Sequence, residues 1–492
     1  MPKINVLLLN PNWRELNQVG RMGTIFPSLP LELIYIQEGL NLYHIPNSLA
    51  DLWASNKNIE SISGLIKNAE IVVLTTAPTY IFWRDGTTGI DFPISIIKKI
   101  RAINVKSKIM VIGPQGTISP QLFLDSGADF LIKGEPDLVV PELIAHISRG
   151  KKYDGHGICY KKSNGSWHID ANYAAVENLD NLPNIPYDKI DLKKYIFSGS
   201  GLKQNANHTA LYESSRGCPY NCIFCFREGF RGKYRTKSPS KVKKEVALLK
   251  KAGITKIFLI DEIFGVKHIE GICSVFKAYG LKWGCETRSE ILNKKIIDLI
   301  ADSGCEDMNI GLESGDRDIL KIIGKETINL DNLRDNISLM SKKGIHTHLY
   351  MIVGSPGETK ISLKNTLNYL LSLPLKNVSI TAGIMIPYPK TKLWKMGLSA
   401  GFNLREWDNM DDFRGVVANT FDRLSIEKEF ILFSLRIRHM QTKNLLKENC
   451  LLLFRWLLEN IALVIFMLIP KQLFFKGKIF NLVRKLYYKI YF

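Results

Sequence analysis

Short, continuously apolar runs punctuate the first 150 residues, at 5–9, Ile71–Thr75, Lys108–Ile112 and Phe130–Ile132. Runs this brief that are apolar on both faces predict parallel strands covered on both sides. Helical stretches separate them, and Gly-rich turns follow two of them, Gly113-Pro114-Gln115-Gly116-Thr117 and Gly134-Glu135-Pro136-Asp137. The alternation predicts an α/β, doubly wound, Rossmann-like sheet over residues 1–150, a fold that takes ligands at the carboxyl ends of its strands. No G-x-G-x-x-G occurs there, so a dinucleotide is not favoured. Residues 151–208 lose the pattern and read as a linker carrying a small strand pair at 158–160 and 167–169.

Strand and helix alternate about six times more over residues 209–390. The expected strands lie at 210–213, 256–260, 282–285, 307–311, 347–353 and Val378–Ile384, with helices such as 241–251 and 293–300 between them. That rhythm predicts a partial (β/α)6, TIM-like barrel over 209–424, with chemistry at the strand carboxyl ends. From 425 onward the chain reads as a helical, basic C-terminal region. The uncharged stretch between Glu459 and Lys471 is 11 residues long, too short to span a bilayer. Residues 471–492 hold six basic side chains and no acidic ones. In helical projection Ile479, Val483, Leu486, Tyr487 and Ile490 oppose Lys478, Arg484, Lys485 and Lys489, a pattern shared by an interfacial membrane helix and by a helix packed on the barrel with a solvated face. No internal repeat or low-complexity segment is present.

Composition narrows the class. A chain of 492 residues, 46% apolar and 23% charged, is ordinary packed protein of about three domains. Sixty-six Lys and Arg against 47 Asp and Glu leave a net charge of +19, pointing to an anionic partner or surface. The run 227–251 holds ten basic residues against two Glu, without a known RNA module, so it reads as a solvated helix face and nucleic acid is not expected. The N-terminal apolar run is too short for a signal peptide and lacks a cleavage site, which places the chain in the cytoplasm, with peripheral attachment to the inner membrane face the alternative raised by its tail.

Eight cysteines in this length do not make a disulfide framework, and three crowd into Cys218-Pro219-Tyr220-Asn221-Cys222-Ile223-Phe224-Cys225. Thiolates suit zinc or iron–sulfur clusters. A structural zinc site wants four ligands, and no second C-x2-C or H-x3-H closes one. A [4Fe–4S] cluster held by three cysteines leaves one iron open for a substrate or cofactor. Cys159, Cys273, Cys285, Cys305 and Cys450 lack paired spacing and read as small buried hydrophobes. His346 and His348 share one face of a strand, where packing is the simpler role. Trp13 and Trp83 read equally as core or as flanks of a cofactor.

The motif C-x3-C-x-aromatic-C after a first barrel strand resembles the radical S-adenosylmethionine (SAM) enzymes. Asp261-Glu262, Glu286 with Arg288, Gly311-Leu312-Glu313-Ser314-Gly315, Gly354-Ser355-Pro356-Gly357-Glu358-Thr359 and Pro387-Tyr388-Pro389-Lys390-Thr391 resemble the same family at successive strand ends, the last with Lys where the family turn has Gly. Asn10-Pro11 and the two Gly-rich turns resemble the cobalamin-binding domain that precedes the barrel in one subgroup. Gln115 stands where that segment usually has His, Pro27-Ser28-Leu29-Pro30 replaces the usual Pro-Pro-Leu-Gly, and no D-x-H-x-x-G is present, so a protein His below cobalt is not implied.

The resemblance covers roughly residues 3–390 and implies a set of roles. Cys218, Cys222 and Cys225 would hold a [4Fe–4S] cluster. Phe224, Asp261, Glu286, Arg288 and Glu313 would bind SAM, Arg288 as a fork on its carboxylate. Asn10, Gly113, Gln115, Gly116, Thr117, Gly134 and Glu135 would bind cobalamin. The implied reaction is reductive cleavage of SAM to a 5′-deoxyadenosyl radical and C-methylation of an unactivated carbon, fed by an electron donor such as flavodoxin or ferredoxin. The substrate would be a small molecule or a lipid- or glycan-linked one. A radical cyclase or rearrangement enzyme with the same cofactors, and a non-catalytic cluster-binding protein, are the competing readings.

Overall fold

A computed structural model of the chain describes residues 4–16, 27–78, 90–195, 209–226, 230–401 and 423–445. The C-terminal amphipathic stretch, Cys450 and Trp83 lie outside these residues. Among the described residues no helix is long and apolar enough to cross a membrane. Two compact units form: residues 1–198 with 204–219 and 226–256, and residues 199–203 with 220–225 and 257–492.

The first unit holds a seven-stranded sheet in the order β2-β1-β3-β4-β5-β6-β7. Its strands are Val6–Asn10 (β1), Asn47–Asp51 (β2), Ile71–Thr75 (β3), Lys108–Ile112 (β4), Phe130–Ile132 (β5), Ile158–Lys161 (β6) and Trp167–His168 (β7). The first five run parallel, and β6 and β7 continue antiparallel from β5. The strand pair expected within the linker thus forms, and it joins this sheet. The order reverses between β1 and β3, which puts the ligand crevice of a doubly wound sheet beyond Asn10 and Thr75. Strand β2, Asn-Ser-Leu-Ala-Asp, has no β-branched or continuously apolar run to announce it. It pairs along all of β1, so backbone hydrogen bonding overrides a weak local preference. Val6, Leu8, Val73, Met110 and Ile132 of the sheet pack with Leu33, Ile36 and Val140 of the helices Leu31–Leu42 and Val139–Ser148. Each such side chain contributes about 1.5–3 kcal/mol on burial.

The turn after β5 shows why a glycine stands there. Gly134 has φ +91°, and an added Cβ would lie 2.3 Å from the Ala174 carbonyl oxygen. The Ala174 backbone bridges to Gly134 and pins residues 170–176 against the strand end.

Below this turn lies a buried lattice of charges. Asp137 takes both terminal nitrogens of Arg216, each at 2.9 Å. Glu213 accepts from Arg216 Nε at 2.8 Å and from Arg231 Nη1 at 2.7 Å. Glu135 accepts from Arg235 at 2.7 and 3.0 Å and from the Val176 N–H at 2.6 Å. Lys237 donates to Glu245 at 2.8 Å and to the Tyr35 hydroxyl at 3.2 Å, and the Tyr212 hydroxyl donates to Glu245 at 2.7 Å. Arg216, Asp137, Glu213 and Lys237 are all fully buried. Burial raises the Glu213 pKa, but Arg216, Arg231 and Lys237 outweigh it and hold the carboxyl down at about 2. Glu32 differs. It is buried beside Asp137, and among the described residues its Oε1 finds no hydrogen-bond partner. Burial, then the Asp137 charge, push its pKa up to about 8.

A second parallel sheet has the order β15-β14-β13-β12-β11-β8. Its strands are Thr209–Tyr212 (β8), Lys256–Leu259 (β11), Lys282–Thr287 (β12), Cys305–Glu313 (β13), His346–Val353 (β14) and Val378–Ile384 (β15), and a short antiparallel pair, Ser215–Arg216 (β9) and Arg235–Thr236 (β10), lies apart from it. The strand order equals the chain order, as the partial barrel reading expects. Helices follow the strands and start on side-chain caps: Asn293 for Lys294–Asp302, Asn329 for Leu330–Lys342 and Thr359 with Ser362 in a capping box for Lys360–Leu371. The helix Arg423–Leu445 packs beside β15 and is tied by Glu429 to Lys360 at 3.5 Å.

Three outcomes are expected. Asp137→Leu leaves Arg216 buried without its bidentate partner, and urea unfolding will show a loss of about 3–5 kcal/mol. Gly134→Ala forces a Cβ onto Ala174 at a left-handed φ and will cost at least about 1–3 kcal/mol in the same assay. The third is a pH effect. The native Glu32 carboxyl keeps a proton that the unfolded chain releases above its ordinary value of 4.5, so its contribution to stability falls as pH rises from 4.5 through about 8. Glu32→Gln will therefore raise the melting temperature most at pH 9, less at pH 6, and change it little at pH 4.

Candidate functional site

In the first unit, Cys218 follows directly from the charged lattice. Arg216 occupies β9, which pairs antiparallel with β10. Gly217 then turns with φ +78°, and a Cβ there would meet the Lys233 carbonyl oxygen at 2.4 Å. Only glycine passes this point, so the backbone leaves the lattice in one direction and Cys218 emerges half-buried.

The same unit carries the expected cobalamin residues at the carboxyl edge of its sheet. Gly113 follows β4 and Gly134 follows β5, and Thr117 stitches the two turns. The Thr117 hydroxyl donates to the Gly113 carbonyl at 2.9 Å and accepts the Gly134 N–H at 3.0 Å. Gly116 packs its Cα face against Val111 and Leu131. With Thr75, Thr76 and Ala77 these small residues form a low edge. Gln115 is fully buried within it. Asn10 and Glu135 are committed elsewhere. Asn10 donates to Asp51 at 3.1 Å and accepts from the Trp13 indole at 2.9 Å, so Trp13 belongs to the core beneath β1. Glu135 holds Arg235 and Val176. These two shape the edge rather than offering free groups above it.

In the second unit, residues 222–225 form a turn closed by the Cys225 N–H on the Cys222 carbonyl at 3.2 Å. Ile223 anchors it: its N–H donates to the Ile323 carbonyl at 3.2 Å and its carbonyl accepts from the Leu393 N–H at 2.9 Å. Cys222, Phe224 and Cys225 are half-buried around that anchor. The isolated cysteines behave otherwise. Cys159, Cys273 and Cys285 are fully buried and Cys305 nearly so, and burial pushes the Cys273 thiol up to about 11. Among the described residues no three His, Cys, Asp or Glu side chains are gathered for a single metal ion. A cluster asks for something different, one thiolate per iron, and the motif's half-exposed, unbridged thiols suit that demand.

Charged and polar groups of this unit gather at the strand ends. Arg288 lies just past β12 with its guanidinium 3.9 Å from the centre of the Tyr220 ring. It donates through Nη1 to the Cys222 sulfur at 3.2 Å, and through Nε and Nη2 to Glu290 at 3.1 and 2.5 Å. Glu290 also accepts from Thr327 at 2.6 Å. The fork expected for a ligand carboxylate is thus turned onto a carboxylate of the chain. Glu286 accepts from the Tyr350 hydroxyl at 3.4 Å, which accepts from Asn309 at 3.1 Å. Asp261 is buried at the end of β11, and the Phe264 N–H donates to the Glu286 carbonyl at 2.9 Å. Glu313, at φ +68° past an irregularity in β13, pairs with Lys325 at 2.8 Å, and Lys325 also holds the Gly311 carbonyl at 2.5 Å. In the turn after β14, Glu358 accepts from the Gly354 N–H at 2.5 Å, and burial pushes its carboxyl up to about 7. Lys390, standing where the resembled turn has Gly, adopts φ +66°.

His348 is buried between Ser379 at 2.6 Å and Thr381 at 2.9 Å, with its ring edge-on to Tyr350. It and Tyr350 alternate with the buried Leu349 and Met351, so β14 turns a polar face one way and an apolar face the other. His346 faces Asp307 at 3.6 Å on the polar side. Tyr220, Glu290, Lys325, Asn309 and Tyr350 carry no motif of their own. Lys325, Asn309 and Tyr350 are joined to the predicted residues by distance in three dimensions, whereas Tyr220 lies inside the cysteine motif and Glu290 two residues beyond Arg288, where both could have been marked.

Comparison with known proteins gives the chain its relatives. An uncharacterized methyltransferase of Pyrococcus horikoshii is 27% identical over 450 residues, covering 88% of this chain and 92% of that protein. The fold resembles the cobalamin-dependent S-adenosylmethionine radical enzyme OxsB, solved with aqua-cobalamin, at 18% identity and a TM-score of 0.69, covering 95% of this chain and 72% of that one. It also resembles the radical S-adenosylmethionine methyltransferase TsrM from Kitasatospora setae, solved with cobalamin and a [4Fe–4S] cluster, at 16% identity and a TM-score of 0.62, covering 81% and 76%. Residues 212–370 match the family model of the radical SAM superfamily. The cysteine motif and the strand-end residues lie in and around that span, so this part of the chain is a radical SAM domain.

Proposed function

We propose that this radical SAM enzyme is cobalamin-dependent and methylates an unactivated carbon of a small-molecule or lipid- or glycan-linked substrate. The observation that carries the reading is the presence, in one chain, of the half-exposed cysteine motif and of a doubly wound sheet whose carboxyl edge is lined by small residues. The two solved relatives named above pair the same fold with cobalamin, and the Pyrococcus relative is described as a methyltransferase.

Cys218, Cys222 and Cys225 would hold the cluster, and Gly113, Gln115, Gly116, Thr117 and Gly134 would border the corrinoid. When bound, the cluster supplies the electron that cleaves SAM, and cobalamin supplies the methyl carrier; the protein's part is to hold, orient and shield them. Three tasks fall to its own residues. Phe224, half-buried beside Cys225, offers an apolar face to an adenine. Glu286 and Glu313, each fixed by a hydrogen-bond or ion-pair partner, present carboxylates at neighbouring strand ends toward ammonium or ribose hydroxyl groups. The polar face of β14, whose Tyr350 hydroxyl reaches Glu286, is where substrate selectivity would reside. No histidine stands among the border residues, so cobalt would receive no imidazole from that edge.

The test is an anaerobic assay of cobalamin-loaded, cluster-reconstituted protein with SAM, a strong reductant and an extract of the source cells, read by mass spectrometry. Wild-type protein should form both 5′-deoxyadenosine and S-adenosylhomocysteine, and Cys222→Ala should reduce both to background. Formation of 5′-deoxyadenosine alone would replace methylation by ring closure or rearrangement. Reconstituted protein that holds iron but forms neither product would overturn the reading.

A further inference from the structure

Arg288 has three faces, and each is used. Its plane lies on Tyr220, its Nε and Nη2 go to Glu290, and its remaining arm, Nη1, reaches the Cys222 sulfur at 3.2 Å. The side chain is only 7% exposed, so water screens this charge weakly. Glu290 is fixed in turn by Thr327 at 2.6 Å and by the Ser289 hydroxyl at 3.1 Å, which leaves the guanidinium little freedom to swing away. A cation held in one orientation against a thiolate ligand acts on the metal group behind it. Hydrogen bonds to sulfur and nearby charge are the means by which a protein sets an iron–sulfur potential.

We propose that Arg288 is a positioning residue that raises the reduction potential of the cluster through its hydrogen bond to the Cys222 sulfur, with Glu290 as its counterweight. The inference rests on the reading of Cys222 as a cluster ligand. Reduction adds one electron, and hence one negative charge, to the cluster. A donor and a positive charge at the sulfur favour that reduced state, whereas the Glu290 carboxylate opposes it. This differs from the role that motif resemblance assigns to Arg288, a fork on the SAM carboxylate. In the structure the fork is closed on Glu290 and the third arm points at sulfur.

The two roles separate in a redox titration of reconstituted protein without SAM, using dithionite as reductant and the electron paramagnetic resonance signal of the reduced cluster as readout. Iron content and melting temperature are measured on every variant. Arg288→Gln should move the midpoint to a more negative potential with iron content unchanged, Arg288→Lys should move it less, and Glu290→Gln, which removes the opposing charge, should move it the other way. Unchanged midpoints in all three variants would overturn the inference, and weaker SAM binding alongside them would assign Arg288 to the carboxylate. Wild-type protein that takes up no iron would instead sink the cluster reading itself and this inference with it, a failure that the iron assay identifies before any potential is compared.

Discussion

The bidentate pair between Arg216 and Asp137 is the constraint on which the placement of Cys218 depends. A charge pair out of water is a poor source of net stability, because desolvation offsets most of the Coulomb gain. Its effect here is geometric. Arg216 satisfies Asp137 and Glu213 together only in one orientation, Glu213 must also meet Arg231, and Gly217 takes up the only backbone path left. Two residues beyond Arg216 the first cysteine of the motif emerges. An apolar core of equal volume would leave that strand free to shift by fractions of an ångström. A lattice in which each misplacement strands a buried charge does not.

Sequence periodicity made most of the architecture legible. Strands such as Ile71–Thr75 and Lys108–Ile112 are short, mostly apolar runs, and helices of the second unit such as Lys294–Asp302, Leu330–Lys342 and Lys360–Leu371 open on Asn or Thr caps. What escaped was structure imposed from a distance. Strand β2 forms because β1 offers it an edge. The strand pair expected at 158–160 and 167–169 does form, and what the sequence did not show is that it extends the first sheet, because β5 would otherwise present unpaired backbone groups.

The candidate site divides along the same line. The cysteine motif is marked by its spacing, and Glu286, Arg288 and Glu313 by the resemblance of their short segments to the radical SAM family; all stand at or near strand ends. The partners of Glu286 and Glu313 could not. Lys325 lies 12 residues from Glu313, and Tyr350 lies 64 from Glu286, separations set by the strand–helix repeat and invisible to any local pattern. The partners also change what the predicted residues do: Arg288 turns out to be bound by Glu290, and Asn10 and Glu135 are occupied inside the first unit.

Glu313 is the last residue of β13. Its backbone sits in the left-handed region, which costs a residue other than glycine about 1–2 kcal/mol, and the irregularity in β13 falls at the same point. Lys325 grips the strand twice there, at the Gly311 carbonyl and at the Glu313 carboxylate, in a pair less than a tenth exposed. Dissolved salt screens surface charges within about 10 Å at ordinary ionic strength but reaches such an enclosed pair far less. The direction in which this carboxylate faces is therefore insulated from the ionic composition of its surroundings, and the end of β13 keeps its geometry whether the medium is dilute or concentrated.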